Sequence, residues 1–322
     1  MRTRLNALSA IFLVSLLVCS VAVSQLYSPE QLEETLEDEP VLLESLARAS
    51  PATILASGSG QANEDGEHIL ALPNGGWVVG MSQWTNSTLT YGTHTLSPSS
   101  PFNAGGLGEF YLAKMDEKGA WTGFISADHS MGGGGTSVLT DVAIGMAGEI
   151  FVSGYFYGEI AFGPPGPNTM ISNLNAGYHY EGFVARADPM GNWMWATSFS
   201  TLVNGTGEFS EAGALAVDMM GDLFVTGEFS GETDFGGMSI NATSRDVFVA
   251  KFDGNMGTLS WVINGGGIGT DQVFDMSITP SGGVKLATLT DGISQWGTTS
   301  YIAKDRKSTR LNSSHLGISY AV

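Results

Sequence analysis

Cysteine is almost absent from this sequence of 322 residues, and the single one, Cys19, lies in an apolar run near the N-terminus. An intrachain disulfide needs two cysteines and a thiolate metal site needs several, so the sequence excludes both. The folded part of the chain must therefore be held together by the packing of its core.

Basic residues are scarce, since 13 Lys and Arg stand against 32 Asp and Glu and give a formal net charge of −19. A surface of this sign repels a phosphate backbone, so we expect no nucleic-acid partner. The acidity is typical of a protein that stays soluble in a salty exterior. An acidic binding face is the alternative.

Apolar residues at the 3.6-residue spacing of a helix are nearly absent from the middle of the chain. Glycine, in contrast, occurs 44 times, and short apolar runs alternate with Gly, Asn, Asp, Ser and Thr. This pattern is typical of many short strands joined by tight turns. The sequence predicts an all-β protein.

Metal-binding patterns are also missing. Outside residues 305–322 the histidines are His68, His94, His129 and His179, and no two have the spacing of paired metal ligands. The segment 253–257 begins like a calcium loop but lacks the closing Glu of such loops, so it reads as a turn. We expect no metal, no cofactor and no catalytic residues.

The N-terminus has the pattern of an export signal. Arg2 and Arg4 precede the apolar run 7–23, and Ala22-Val23-Ser24 supplies the small residues that signal peptidase requires. We therefore predict a signal peptide over 1–24, with an uncleaved membrane anchor as the alternative. Residues 25–51 form an acidic lead-in or linker. The predicted location is secreted or at the cell surface.

Two phrases recur at a fixed interval of 73 residues. The segment 148–154, Gly-Glu-Ile-Phe-Val-Ser-Gly, returns over 221–227 as Gly-Asp-Leu-Phe-Val-Thr-Gly, and 156–163 returns over 229–236. Such a period means that one supersecondary unit is copied and that each copy buries its apolar face on the next.

Each copy divides into four short strands, and the third is the clearest. It ends in Lys or Arg, is followed by an Asp-x-x-Gly type turn, and leads to a fourth strand marked by Trp. The third strands are predicted at Glu109–Lys114, Glu181–Arg186, Asp246–Lys251 and, truncated, Tyr301–Lys304; the tryptophans are Trp121, Trp193, Trp195 and Trp261. Residues 52–304 thus hold three full units and part of a fourth.

These phrases resemble the repeats of the seven-bladed beta-propeller repeat family, abbreviated SBBP. Residues 221–236 with 246–261 carry all of its phrases, whereas the copy over 148–195 has Ala161 and Arg186 in place of Asp234 and Lys251. The resemblance implies a β-propeller of four-stranded blades in an exported or surface-attached protein. It implies no catalytic residues. A ring of this kind needs more blades, so we expect a C-terminally truncated fragment that aggregates when expressed alone.

The last segment, 305–322, resembles the in-frame translation of a sequencing adapter almost residue for residue. We interpret it as a non-native tail and expect the natural sequence to depart from this chain near Lys304. A membrane contact is expected only through an uncleaved signal or a missing C-terminal module.

The candidate ligand-binding residues are Tyr155 and Tyr157, which flank the apolar Phe156 and should point away from it. Exposed aromatic rings at such a place suit the stacking of sugar rings, and packing on a neighbouring unit is the alternative. The innermost strands are apolar except for Asp141 and Asp275. The sequence therefore favours a non-catalytic scaffold that binds a protein or glycan. The alternative is an extracellular propeller enzyme acting on polysaccharide, with its site in missing blades.

Overall fold

The computed structural model describes residues 64–83, 88–99, 108–130, 135–164, 169–172, 179–202, 208–279, 282–290, 293–296, 299–302 and 315–321. Contacts separate residues 1–56 from 57–322, and the predicted signal peptide and linker lie outside the described residues. All regular elements in these ranges are β-strands, so the all-β prediction is confirmed. The same ranges contain no helix with the length and apolar character needed to cross a membrane.

The first unit is an antiparallel sheet with strand order β1-β2-β5-β6. Its elements are β1 (Glu64–Ala71), β2 (Trp77–Gln83), the small hairpin β3 (Leu89–Tyr91) and β4 (His94–Leu96), β5 (Glu109–Met115) and β6 (Trp121–Ser126).

The second and third units repeat this order. The second contains β7 (Thr136–Ile144), β8 (Ile150–Tyr157), the hairpin β9 (Glu159–Ala161) and β10 (Met170–Ser172), β11 (Glu181–Ala187) and β12 (Trp193–Thr201). The third contains β13 (Ser210–Val217), β14 (Leu223–Asp234), β15 (Ser239–Phe252) and β16 (Leu259–Gly267). Every first-to-second, second-to-third and third-to-fourth pairing is antiparallel. The strands therefore lie where the repeat predicts them.

The fourth unit differs from the prediction. It comprises β17 (Asp271–Ile278), β18 (Val284–Thr290), β19 (Ile293–Trp296), β20 (Thr299–Ile302) and β21 (His315–Ala321), in the order β17-β18-β21. The prediction that Tyr301 begins the third strand is wrong, because Tyr301 pairs with Ser294 in a hairpin with β19. The backbone of β21, which falls in the predicted non-native tail, lies beside β18 instead.

The phrase that ends in Phe-Gly forms a hairpin that joins neighbouring units. Ala161 on β9 bridges to Asp128 of the first unit through hydrogen bonds of 2.8 and 2.9 Å. The outer part of β14 pairs with the end of β12 in the same way, and β19 pairs with the end of β16. The β19–β20 hairpin is therefore the counterpart of β9–β10. This equivalence explains why β20 does not serve as a third strand.

The core lies between the sheets, because alternate side chains along a strand point to opposite faces. Val152 belongs to the cluster between the first and second units, and its neighbour Phe151 to the cluster between the second and third. A further cluster lies between the third and fourth units around Phe224 and Leu286. The sheets are thus buried on both faces, which accounts for the continuous apolar runs in the sequence.

The second-strand glycine of the repeated phrase makes room for the third-strand phenylalanine. Gly154 lies opposite Phe183, and Gly227 lies opposite Phe248. A Cβ at either glycine would collide with the ring of that phenylalanine and with a backbone carbonyl of the first strand. The repeated Gly and Phe are therefore one packing motif split between two strands.

The predicted Asp-x-x-Gly turns are confirmed. The Oδ1 of Asp188 accepts hydrogen bonds from the backbone N–H groups of Met190 and Asn192, at 2.9 and 2.8 Å. Gly191 closes the turn at a φ of 99°. Asp116 and Asp218 make the same pair of hydrogen bonds in their own turns.

Candidate functional site

Tyr155 and Tyr157, the two candidate residues predicted from the sequence, lie on β8. Their side chains point to the face of the sheet opposite that of Phe156. Phe156 has no exposed surface, Tyr155 is half-buried, and Tyr157 is 37% exposed. The predicted alternation is therefore confirmed. Tyr155 and Tyr157 are two residues apart on one strand, so their side chains leave the same face of the sheet.

A third tyrosine, directly before the neighbouring strand β11, lies close to Tyr155. The ring of Tyr180 lies 5.4 Å from the ring of Tyr155 at an interplanar angle of 58°, and Tyr180 is 38% exposed. Sequence reasoning missed Tyr180 because only the pairing of β8 with β11 brings it close. The pairing of Phe156 with Glu181, extended by one residue, would have placed Tyr180 opposite Tyr157.

The third unit contacts Tyr180 through its backbone. The backbone N–H of Ser210 donates to the carbonyl of Tyr180 at 3.2 Å, so the start of β13 lies beside Tyr180. The Phe209 ring lies 5.0 Å from the guanidinium of Arg245. Neither Phe209 nor Arg245 belongs to a repeated phrase, so the repeat does not point to either residue.

Two carboxylates face each other across the first and second strands of this unit. Glu211 pairs in register with Glu228, and Glu228 forms an ion pair with Arg245. Burial raises the pKa of both Glu211 and Glu228, and the cation at Arg245 opposes that rise. Glu228 also accepts a hydrogen bond from the backbone N–H of Val273 at 3.0 Å.

The carboxylates of Glu228 and Glu211 differ in the contacts that they make. Both oxygens of Glu228 are engaged by structural partners, Arg245 and the first strand of the fourth unit. Glu211 has no hydrogen bond assigned to its carboxylate within the described ranges. Glu211, Glu228 and Arg245 lie on the side of the third unit that contacts the fourth, since Glu228 accepts from Val273. We call Tyr155, Tyr157 and Tyr180 the tyrosine surface. It offers aromatic faces and phenolic hydroxyls.

Glu181 lies directly behind this surface. Its side chain is buried at 1% exposure, and the hydroxyl of Ser200 donates to its Oε2 at 3.2 Å. Burial raises the pKa of Glu181 to about 7, against an opposing effect of its hydrogen bonds. Asp246 occupies the matching position in the third unit, and burial raises its pKa as well. Glu181 therefore titrates near neutral pH.

The polar residues of the innermost strands form a second cluster. Asp141 lies 3.6 Å from the Nδ1 of His68 in the first unit. Its Oδ2 accepts a hydrogen bond from the backbone N–H of Leu215 in the third unit at 2.7 Å, and burial raises its pKa. Asp275 is near enough to act on that pKa. Because Asp141 contacts both neighbouring units, its role in this structure is to connect them.

The side chains of a serine, a histidine and a glutamate contact one another in the serine–histidine–carboxylate arrangement of hydrolases. The sequence did not predict this set. The Nε2 of His129 is 2.7 Å from the Oγ of Ser137, and its Nδ1 is 3.6 Å from Glu109. Ser137 and His129 have no exposed surface, so no substrate reaches them. Ser210, at the matching position of the next unit, makes only backbone hydrogen bonds. The set is a buried structural network.

Metal ligands do not converge in the part of the chain that the structure describes, where no group of three or more His, Cys, Asp or Glu side chains is placed to hold an ion. The calcium-like segment is a turn, as predicted, because Asp253 Oδ1 accepts hydrogen bonds from the N–H groups of Asn255 and Met256 at 2.9 Å.

Comparison with known proteins does not assign the chain to a family. No family model matches the chain, and no curated protein is significantly similar to it.

Proposed function

We propose that this chain is part of an exported or cell-surface β-propeller of the SBBP type that serves as a non-catalytic interaction scaffold. Four-stranded antiparallel units in sequential order, each joined to the next by a hairpin, support the propeller assignment. The approach of Asp141 to His68 on one side and to Asp275 on the other supports innermost strands that gather around a common axis.

The proposed ligand is a glycan held by the tyrosine surface. The observation that carries this proposal is the contact between the rings of Tyr155 and Tyr180, with Tyr157 exposed two residues further along the same strand. Tyrosine rings present apolar faces with polar tips, which suits the apolar face and the hydroxyls of a sugar. Because the chain is strongly acidic, we expect neutral glycans to bind better than uronic-acid polymers.

The enzyme alternative has no supporting observation within the described ranges. Its only nucleophile–base arrangement, Ser137 with His129, is sealed from solvent. Glu228, the carboxylate opposite Glu211, is occupied by Arg245 and Val273.

The test is a binding screen of purified protein against neutral glucans, chitin oligosaccharides and alginate. We expect a neutral glycan to bind, and Tyr155→Ala or Tyr180→Ala to weaken binding by about tenfold, the loss of one aromatic anchor. Tyr157→Ala tests whether the site extends along β8. Met220→Ala, in a turn at the opposite end of the sheets, is the control that should bind normally. No binding in the panel, or binding unchanged in all three tyrosine variants, would refute the proposal.

A further inference from the structure

Five methionines occupy one end of the second and third units, in the turns that join first to second and third to fourth strands. They are Met146, Met190, Met219, Met220 and Met256, with exposures of 71%, 83%, 86%, 87% and 71%. We call this set the turn methionines.

The turn methionines contribute little to the fold. In the turn from Asp218 to Gly221, the hydrogen bonds are made by the Asp218 carboxylate and carbonyl with backbone N–H groups, and none uses a thioether. The Asp116 turn of the first unit makes the same hydrogen bonds with Glu117 and Lys118 in the central positions. The central side chains are therefore free to vary without cost to the turn.

The turns that carry them lie against one another. A Cβ at Gly254 would collide with the carbonyl of Gly221, and a Cβ at Gly148 would lie 3.5 Å from Pro189. Each contact joins the two turns of one unit. The five turn methionines thus lie at the same end of the second and third units.

Three other methionines are shielded. Met81, Met115 and Met276 are 5%, 7% and 7% exposed, and the Tyr91 hydroxyl donates to the Met81 sulfur at 3.2 Å. Met170, Met194 and Met238 lie between these extremes, at 40%, 47% and 45% exposure. Among the described residues, the turn methionines are therefore the most exposed and Met81, Met115 and Met276 the least.

We propose that the turn methionines are a modification site for hydrogen peroxide, at which oxidation leaves the fold intact. A sulfur lone pair attacks one peroxide oxygen, the O–O bond breaks, and water leaves. The thioether becomes a sulfoxide as sulfur gives up two electrons to the peroxide. The modification makes the exposed methionine side chains of these turns polar, and methionine sulfoxide reductases reverse it.

The test is a time course of the purified chain in hydrogen peroxide, read by peptide mass spectrometry and compared with the guanidinium-denatured chain. We expect the turn methionines to oxidise within about threefold of their denatured rates and the three buried ones at least about tenfold more slowly. The melting temperature should not change once the turn methionines are fully oxidised. Equal rates for both classes in the folded protein, or unfolding on oxidation, would overturn the proposal.

A matched pair of variants separates access from folding. Replacing Met219, Met220 and Met256 by Leu should keep the melting temperature and remove peroxide uptake at those three positions only. Met81→Leu should leave the early uptake unchanged. If the triple variant melts lower than Met81→Leu, the turn methionines support the fold, and the proposal is wrong.

Discussion

The carboxylate of Asp141, in the first strand of the second unit, accepts a 2.7 Å hydrogen bond from the backbone N–H of Leu215, in the first strand of the third. Its other oxygen accepts from Val142, also at 2.7 Å. Asp141 follows a register shift in β7, and Asp275 follows the matching shift in β17. The contact between innermost strands therefore includes a charge-assisted hydrogen bond as well as apolar packing.

Asp141→Ala should destabilise the protein by about 1.5–3 kcal/mol, because it leaves the Leu215 N–H without its charged acceptor. Asp275→Ala is the matched control, since within the described residues the Asp275 carboxylate accepts a hydrogen bond only from the N–H of its own neighbour Met276. Urea unfolding of both variants measures the difference. Equal losses would show that the bond to Leu215 contributes nothing.

Glu181 should make stability fall as the pH rises. Its folded pKa of about 7 lies above the ordinary value of 4.5, so the folded state favours the protonated form. The stabilisation is complete below pH 4.5 and is lost as the pH passes through 7. Glu181→Gln should therefore gain on the order of 2 kcal/mol over wild type at about pH 8 and little at about pH 4.

Asp128→Asn is the opposite control for this measurement. A hydrogen bond from the Ser130 side chain is the main cause that lowers the pKa of Asp128. Its stabilising effect is present at neutral pH and is lost as the pH falls through the folded pKa. The Asn variant should therefore be the less stable one at neutral pH. A Glu181→Gln effect that is the same at both pH values would contradict the assignment.

Gly227→Ala should be among the most damaging single substitutions in the third unit. The new Cβ would overlap the carbonyl oxygen of Glu211 and the ring of Phe248, and the backbone oxygen has no rotamer by which to move away. We expect a loss of about 3 kcal/mol. Gly221→Ala, at a φ of 86° with no atom within 4 Å of the new Cβ, should cost only about 1 kcal/mol of backbone strain. Chemical denaturation compares the two, and a reversed order would refute the packing argument.

Prediction from the sequence worked where the repeat specified local structure. The Asp188 turn and the buried face at Phe156 follow from turn chemistry and strand alternation, which act over a few residues. The fourth unit shows the limit. Tyr301-Ile302 has the composition of a third strand, but the hairpin with β19 forms over those residues because Trp296 takes the place of Phe235 in the preceding unit.

The candidate site was only half predictable for a related reason. Tyr155 can be singled out from the sequence because it departs from the repeat: the next copy has Glu228 at the same position. Tyr180 lies outside the repeated phrases, and the pairing of β8 with β11 brings its ring to Tyr155. Such contacts depend on register, which no spacing along the chain reveals without the strand pairing.

Arg245→Met should destabilise the third unit through its two carboxylates. Glu211 and Glu228 face each other in register, and Arg245 is the cation that opposes the rise of their pKa values. Because the Arg245 side chain is 34% exposed, we expect a loss of about 1–3 kcal/mol at neutral pH, less than for a fully buried pair. The deficit should shrink as the pH falls through the raised folded pKa values, because protonation removes the repulsion.

The double variant Arg245→Met with Glu228→Gln identifies the cause of this loss. Glutamine keeps an oxygen that accepts from the Val273 N–H but carries no charge. The double variant should therefore recover most of the stability of wild type at neutral pH, and its remaining deficit should depend little on pH or salt. Urea unfolding at two pH values provides the measurement. A deficit that persists in the double variant would mean that Arg245 acts by packing on Phe209 and not through its charge.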